Sequence, residues 1–597
     1  MAQMSWNKKV FVLLFDGTGN KFSGTESDSN ILKILRMLDR NDTRQVHYYQ
    51  PGIGTYVHSN TYSHTSAITR AHSWFTKARD AAIGASFDEH VMGGYKFLMR
   101  YYQPGDDLYI FGFSRGAYTA RYLAEMLDYI GLLEAGNEEL ARFAWKAFAK
   151  WQRRLERTEA EKRQKTAMFE FMKAFRDTFA RPIKRIRFLG LFDTVNSVSQ
   201  FESRWMSRSN HPYTAISSSM VIRHAVSIDE RRAKFRQDLV GETNDKRVNG
   251  NPSNKNKESK TLSEKETRKL EATEANPRFR RASVAQRRAR SRERTKRVPD
   301  LSPVRSFNTA SEDDARSAHS ISNSVPFNTD TFDWGNMEEE DRDEAAPQDV
   351  LEVWFSGGHG DIGGGWTAKE NEVLLSHIPL VWMVREAQRA GLRFNPEKVA
   401  EMNCGWGADF ENDEDIDPGV AAATGIPQVQ VTGTESPASA ASTANTADNR
   451  KNHFHKHLHR AATESIVHDC LQFGGGLGAI AVAGWAFMEY LPFRRMDLQP
   501  DSTWKSVRWP LPMGEVRDIP DTAIIHGSVI RRMAADPKYR PGNLIVGGGG
   551  RGVRVAPIDL GTGEWDILRE AGNPIGECYI RRKKACNGVH HEEKHSK

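Results

Sequence analysis

Cysteine is scarce in this chain: four in 597 residues, Cys404, Cys470, Cys578 and Cys586, none forming a C-x-x-C pair. That spacing argues against a zinc module or a disulfide framework and suits a reducing compartment. Long hydrophobic runs are missing too. The longest apolar stretch, Phe473–Met488, is broken by glycines and falls short of the roughly 20 residues a membrane-spanning helix needs. Met1–Lys9 lead straight into a short apolar run, Val10–Phe15, without the h-region or small-residue cleavage site of a secretory signal. A cytoplasmic location is therefore expected. Apolar residues make up 39% of the chain and the mean hydropathy is −0.62, so long polar stretches must dilute an ordinary core. The net charge is +7, much of it concentrated in one segment, and it says little about any site.

What is present begins with alternation. Val10–Phe15, Gln45–Tyr49, Asp107–Phe111, Arg185–Phe192 and Ile222–Ile228 read as strands, and Ala82–Tyr102 and Tyr118–Ile130 as helices. Such alternation predicts βαβ units and an α/β fold with a mainly parallel sheet flanked by helices. Residues 9–238 form the first part of this core. Residues 241–348 are rich in Asn, Ser, Lys, Arg and Glu and read as a disordered insert, since they cannot bury enough surface to offset chain entropy. The core resumes over 349–405, with a strand at Val350–Phe355 and a helix over Asn371–Ala390. Residues 407–461, Ala/Ser/Thr-rich and then carrying His453, His455, His457 and His459, read as a disordered linker rather than a metal tract. Residues 466–576 read as a mainly helical extension packing on the core.

The chemistry lies at strand ends. Leu108–Phe111 runs into Gly112-Phe113-Ser114-Arg115-Gly116 and then a helical stretch. This is G-x-S-x-G in the strand–turn–helix context of a nucleophile elbow, where small neighbours allow a sharp turn and the next backbone N–H can hold an oxyanion. Acyl transfer also needs a base and an acid that orients it, and α/β-hydrolases supply them in the order Ser, Asp/Glu, His. Phe188–Phe192 ends in Asp193, and Val353–Phe355 opens into Ser356-Gly357-Gly358-His359-Gly360-Asp361-Ile362-Gly363-Gly364-Gly365. Ser114 is thus the candidate nucleophile, His359 the base and Asp193 the acid, with Asp361 a rival acid or a supporting group. Asp361 is only two residues from His359, so the backbone would have to bend for it to reach the ring. Arg115 N–H is the first oxyanion donor expected. The second is Gly17, in Phe15-Asp16-Gly17-Thr18-Gly19-Asn20 after the first strand; Asp16 braces the elbow or holds a metal or phosphoryl group. Asp229-Glu230-Arg231-Arg232 either line the cleft or pair with each other.

The motifs Leu14–Asn20, Gly112–Tyr118, Gly190–Val195, His224–Arg231 and Trp354–Gly365 together resemble an α/β-hydrolase family related to bacterial type VI secretion phospholipase effectors of the G-x-S-x-G class. The resemblance covers most of 9–238 and 349–393. It implies a Ser114–Asp193–His359 triad and esterase or phospholipase chemistry on a lipid or other ester substrate, with no metal and no organic cofactor. The long inserts depart from the bacterial pattern and resemble fungal members, so effector biology is not implied. A catalytically silent binding protein that uses the basic insert is the alternative.

Two further segments leave readings open. Arg278–Arg297 is strongly basic and contains one aromatic, Phe279, so specific nucleic-acid recognition by stacking is not expected. It serves as a nuclear address, an RNA contact, an anionic-lipid contact switched by phosphorylation at Ser283, or a solvated charge run. Phe473–Met488, followed by Arg494-Arg495, either makes a peripheral membrane contact or packs on the body.

Overall fold

A computed structural model describes residues 8–52, 87–195, 217–240, 348–405 and 440–582, apart from 21, 153–157, 182, 370, 493–494, 499–503 and 547–552, together with two short strands at 202–203 and 207–208. The expected disordered insert, the basic segment and Ser283 lie outside the described residues. All described residues belong to one of the two units into which the chain divides, Met1–Arg278 with Gln348–Lys597.

The frame is a nine-stranded sheet of β1 (Val10–Phe15), β2 (Gln45–Gln50), β3 (Asp107–Phe113), β4 (Phe188–Phe192), β5 (Val221–Ser227), β6 (Asp349–Phe355), β7 (Ile524–His526), β8 (Trp565–Arg569) and β9 (Cys578–Arg581), in the spatial order β8-β9-β7-β6-β5-β4-β3-β1-β2. Neighbours from β2 to β7 pair in parallel, whereas β9 pairs antiparallel with both β7 and β8. The inner strands β1, β3 and β4 are near-continuous apolar runs because both faces are covered, whereas the edge strand β2 is mostly half-buried. Along β1, Phe11, Leu13 and Phe15 enter one core and Val12 and Leu14 the other, as the period of two requires.

On the first face lie α1 (Phe87–Tyr101), α2 (Arg115–Ile130) and the helices Glu138–Gln152 and Glu159–Phe179; on the second lie Asn30–Met37 and His377–Arg389. The sequence readings of β1 to β6 agree with this frame to within a few residues, and α2 starts at Arg115, immediately after the serine.

Two expectations are corrected. The linker reading of 407–461 fails from Ala440 onward, where a helix runs to Thr463 and buries Phe454, Leu458, Ala461 and Ala462 in the second core. Those four lie at i, i+4, i+7 and i+8, an amphipathic stripe hidden in a His/Lys-rich context. The extension over 466–576 is not mainly helical. Beside the helices Ala479–Met488 and Gly527–Ala535 it supplies β7 and β8, and with β9 just beyond it carries the sheet three strands past β6. These strands are three to five residues long, too short for a periodicity signal. Among the described residues no helix is long and apolar enough to cross a membrane.

Candidate active site

Parallel sheets expose functional groups at the carboxyl ends of their strands, and the candidate residues gather there. Asp16 follows β1, Ser114 follows β3, Asp193 follows β4 and His359 lies four residues beyond β6. The ladder continues past the strands: Ser114 N–H donates to Phe192 C=O at 3.0 Å and Asp193 N–H to Ala225 C=O at 2.7 Å. Ser114 adopts φ 60°, ψ −126° and Asp193 φ 41°. Side chains at positive φ cost about 1–3 kcal/mol each and persist where the surroundings over-determine them. The flanking glycines follow from contact. A Cβ on Gly112 would lie 2.5 Å from Ala117 Cα, and one on Gly116 would lie 2.3 Å from Phe15 C=O. The turn therefore admits no side chain at either position.

Ser114, His359 and Asp193 meet in a continuous relay. His359 Nε2 lies 2.7 Å from Ser114 Oγ and His359 Nδ1 lies 2.6 Å from Asp193 Oδ2. Although Ser114 occupies the helix cap, its hydroxyl makes no cap bond and is directed to the imidazole instead. Phe113 and Phe235 flank the His359 ring with centroids at 4.8 and 4.7 Å. Burial lowers the His359 pKa from its ordinary value, the Asp193 hydrogen bond and charge opposing that shift.

One group in this site carries no sequence signal. Arg517, fully buried, grips Asp193 through both oxygens, Nη1 to Oδ1 at 2.6 Å and Nη2 to Oδ2 at 2.9 Å. Its Nε donates to Phe235 C=O and its Nη1 also to Ser227 C=O. Ser227 N–H adds a bond to Asp193 Oδ1 at 2.9 Å. Burial would push the Asp193 carboxyl up, but the Arg517 charge and His359 outweigh it and hold the carboxyl well below the usual range. Arg517 lies on an irregular segment ahead of β7, 324 residues from its partner, so neither spacing nor motif could have found it.

Of Asp229-Glu230-Arg231-Arg232, Glu230 and Arg232 pair with each other, while Asp229 and Arg231 bind partners outside the set. Glu230 binds Arg232 through both oxygens and accepts the His359 backbone N–H at 3.1 Å. Burial raises its pKa, and Arg232 more than reverses that, to about 2. Arg231 pairs with Asp469, and Asp229 accepts from Gly357 N–H and the Tyr539 hydroxyl.

Asp361 does not reach His359. It accepts the N–H groups of Gly358 and His468 and pairs with His468 Nδ1 at 2.6 Å, while the His468 ring stacks on Trp366 at 4.2 Å. It therefore fastens the histidine loop to a later segment. Asp16 accepts from Gly17 N–H, Asn20 Nδ2, Ser29 Oγ and the Tyr49 hydroxyl, and burial raises its pKa. Four donors already surround it, which fits a brace rather than a metal or phosphoryl ligand. The Gly17 N–H, expected to hold an oxyanion, is committed to Asp16 Oδ1 at 2.6 Å; the Asp16 carboxylate folds back onto the next residue, so that donor faces inward. Among the described residues no cluster of three or more His, Cys, Asp or Glu side chains could hold a metal ion.

The family model described as "T6SS, Phospholipase effector Tle1-like, catalytic domain" matches residues 9–386. An uncharacterized protein of Saccharomyces cerevisiae, YEL023C, is 29% identical over 576 residues, covering 90% of this chain and 80% of its own length. A solved structure of an uncharacterized protein from Pseudomonas aeruginosa aligns over 80% of this chain and 56% of its own, at 16% identity and a TM-score of 0.28. The structure of the Tle1 effector bound to the VgrG spike of the type 6 secretion system aligns over 39% of this chain and 47% of its own, at 17% identity and a TM-score of 0.21. The chain thus spans about half the length of each solved relative.

Proposed function

The chain belongs to the Tle1-like phospholipase effector catalytic domain family, and from that premise we propose that it is a serine hydrolase acting on lipid esters through Ser114, His359 and Asp193. The observation that carries the reading is the relay of 2.7 and 2.6 Å linking the strained serine, the buried imidazole and the carboxylate. Ser114 Oγ attacks the ester carbonyl carbon while His359 Nε2 takes its proton. Asp193 holds Nδ1–H, fixes the tautomer and stabilises the imidazolium. The Arg115 backbone N–H, at the first position of α2, donates to the oxyanion, assisted by the positive end of the helix dipole. His359 then returns its proton to the leaving alkoxide, and a water activated by the same imidazole hydrolyses the acyl-enzyme.

Phospholipid is the substrate class the family description points to. The test is labelling of the purified chain and its Ser114→Ala variant with a fluorophosphonate probe. Labelling of the parent that disappears in the variant is expected, followed by release of fatty acid from phospholipid. A parent that folds, takes no label and cleaves no ester would overturn the proposal in favour of a silent, binding role.

A further inference from the structure

The helix Ala479–Met488 buries a single side chain, Val482, yet it holds no charged residue. From Cys470 to Met488 the chain has no Asp, Glu, Lys, Arg or His. Phe473, Ile480, Phe487 and Tyr490 are exposed, Ile480 to 82%. Exposed apolar side chains scattered singly need no explanation, but contiguous ones do, and these are joined by a second segment. Met513 N–H donates to Glu489 C=O, and Gly514 N–H to Glu489 Oε2 at 3.2 Å. This places Trp509 and Met513, both more than half exposed, in the loop that docks on the helix's C-terminal end.

The acids at the ends of this surface are occupied. Asp469 pairs with Arg231 and Arg554, and the buried Glu489 carboxyl accepts Ala233 N–H at 2.9 Å as well as Gly514 N–H. Next to Trp509, the exposed Arg508 adds a positive charge to this surface. On its inner side the helix reaches the site. The Trp485 ring meets Phe235 at 5.4 Å, Phe235 meets His359 at 4.7 Å, and the Arg232 guanidinium lies over both Phe235 and Trp485.

We propose that the exposed apolar surface of Phe473, Ile480, Phe487, Trp509 and Met513 docks the protein on the interface of an anionic bilayer, with the triad on its inner side. This rests on the lipid-ester reading above and adds the surface from which the substrate is taken. Two features select a bilayer over a protein partner, the lack of donors and the positive charge, and the helix length sets how the segment sits in it. A protein interface carries about one hydrogen bond per 100–200 Å², whereas Phe473–Met488 offers a single side-chain donor, the Trp485 indole. The acyl boundary of a membrane needs no such donors. The ten-residue helix is about 15 Å long, half the thickness of a hydrocarbon core, so it lies in the interface rather than crossing it. The exposed Arg508 beside Trp509 complements anionic headgroups.

Sedimentation of the full-length Ser114→Ala chain with phosphatidylcholine vesicles, with and without phosphatidylserine, tests docking without turnover. Its outcome is independent of probe labelling of the parent, so failure of docking and failure of the hydrolase reading are distinguishable. Binding to the phosphatidylserine vesicles is expected, weaker without that lipid. Adding Ile480→Glu or Phe487→Glu should lower bound protein about tenfold or more, whereas Ile558→Glu, at another exposed position, should not. Circular dichroism of each variant checks that it folds. Absence of sedimentation, or unchanged binding by both helix variants, would overturn the proposal. Equal binding without phosphatidylserine would overturn its anionic part. A dimer that Phe487→Glu dissociates, with no vesicle binding, would assign the surface to a second copy of the chain.

Discussion

At the scale of single residues, burial and charge set opposite tendencies in the relay. Burial lowers the His359 pKa, so the imidazole stays neutral and able to accept the Ser114 proton to lower pH than an ordinary histidine. The acid limb of a pH–kcat/KM profile is therefore expected below about pH 6.5, and a limb above 7 would contradict the environment described. Arg517 is a positioning residue acting through Asp193. In Arg517→Met the buried carboxylate loses its countercharge, an effect of about 3–5 kcal/mol when one partner of a buried pair is removed. Two consequences for pH point the same way. The Asp193 pKa rises, and where Asp193 remains ionised its unshared charge stabilises the His359 imidazolium, so the acid limb moves to higher pH and kcat falls. Arg517→Lys keeps the charge but not the two-pronged grip and should fall between parent and Met variant. Thermal melts with pH–rate profiles read both effects; a variant that loses stability with an unmoved acid limb would reduce Arg517 to packing.

At the scale of elements, strand-end turns carry the site and close packing shapes them. Gly116 lets α2 start against the end of β1, where a Cβ would meet Phe15 C=O at 2.3 Å and Asp16 C=O at 2.5 Å. Gly116→Ala should cost about 1–3 kcal/mol, read as a lower denaturant midpoint, and should move Ser114 relative to His359 enough to slow probe labelling. The histidine loop is pinned at its other end by Asp361 and His468. Asp361→Asn keeps the shape but replaces one acceptor oxygen by a donor facing N–H groups. It should slow labelling while Ser114→Ala alone abolishes it. These elements were legible because β1, β3, β4 and β6 carry apolar runs that break off at Asp, Gly or Ser. The helix Ala440–Thr463 was not, because its buried stripe of four residues sits among histidines, lysines and alanines.

At the scale of the whole molecule, the segment beyond the family match completes the site. Arg517, His468 and the three strands past β6 all lie after residue 386, where that match ends. A chain truncated after Ser465 is expected to be insoluble or unlabelled by the probe, since it would expose the edge of β6 and leave Asp193 buried without Arg517. Soluble, labelled protein from that truncation would show the extension to be dispensable.

The sequence by itself determined the parallel core, the elbow and the order Ser114, Asp193, His359. Each is a local pattern of an apolar run, a sharp turn and one chemical group, and such patterns are written in neighbouring residues. Only the tertiary structure decided that Arg517 rather than solvent balances Asp193, that Glu230 holds the His359 backbone, that Asp361 turns to His468, and that Gly17 N–H faces Asp16. The first three join residues 107 to 324 positions apart, and no periodicity or spacing links groups that meet only when the sheet is assembled. The fourth depends on how one loop bends around a buried carboxylate, which backbone packing settles and composition does not.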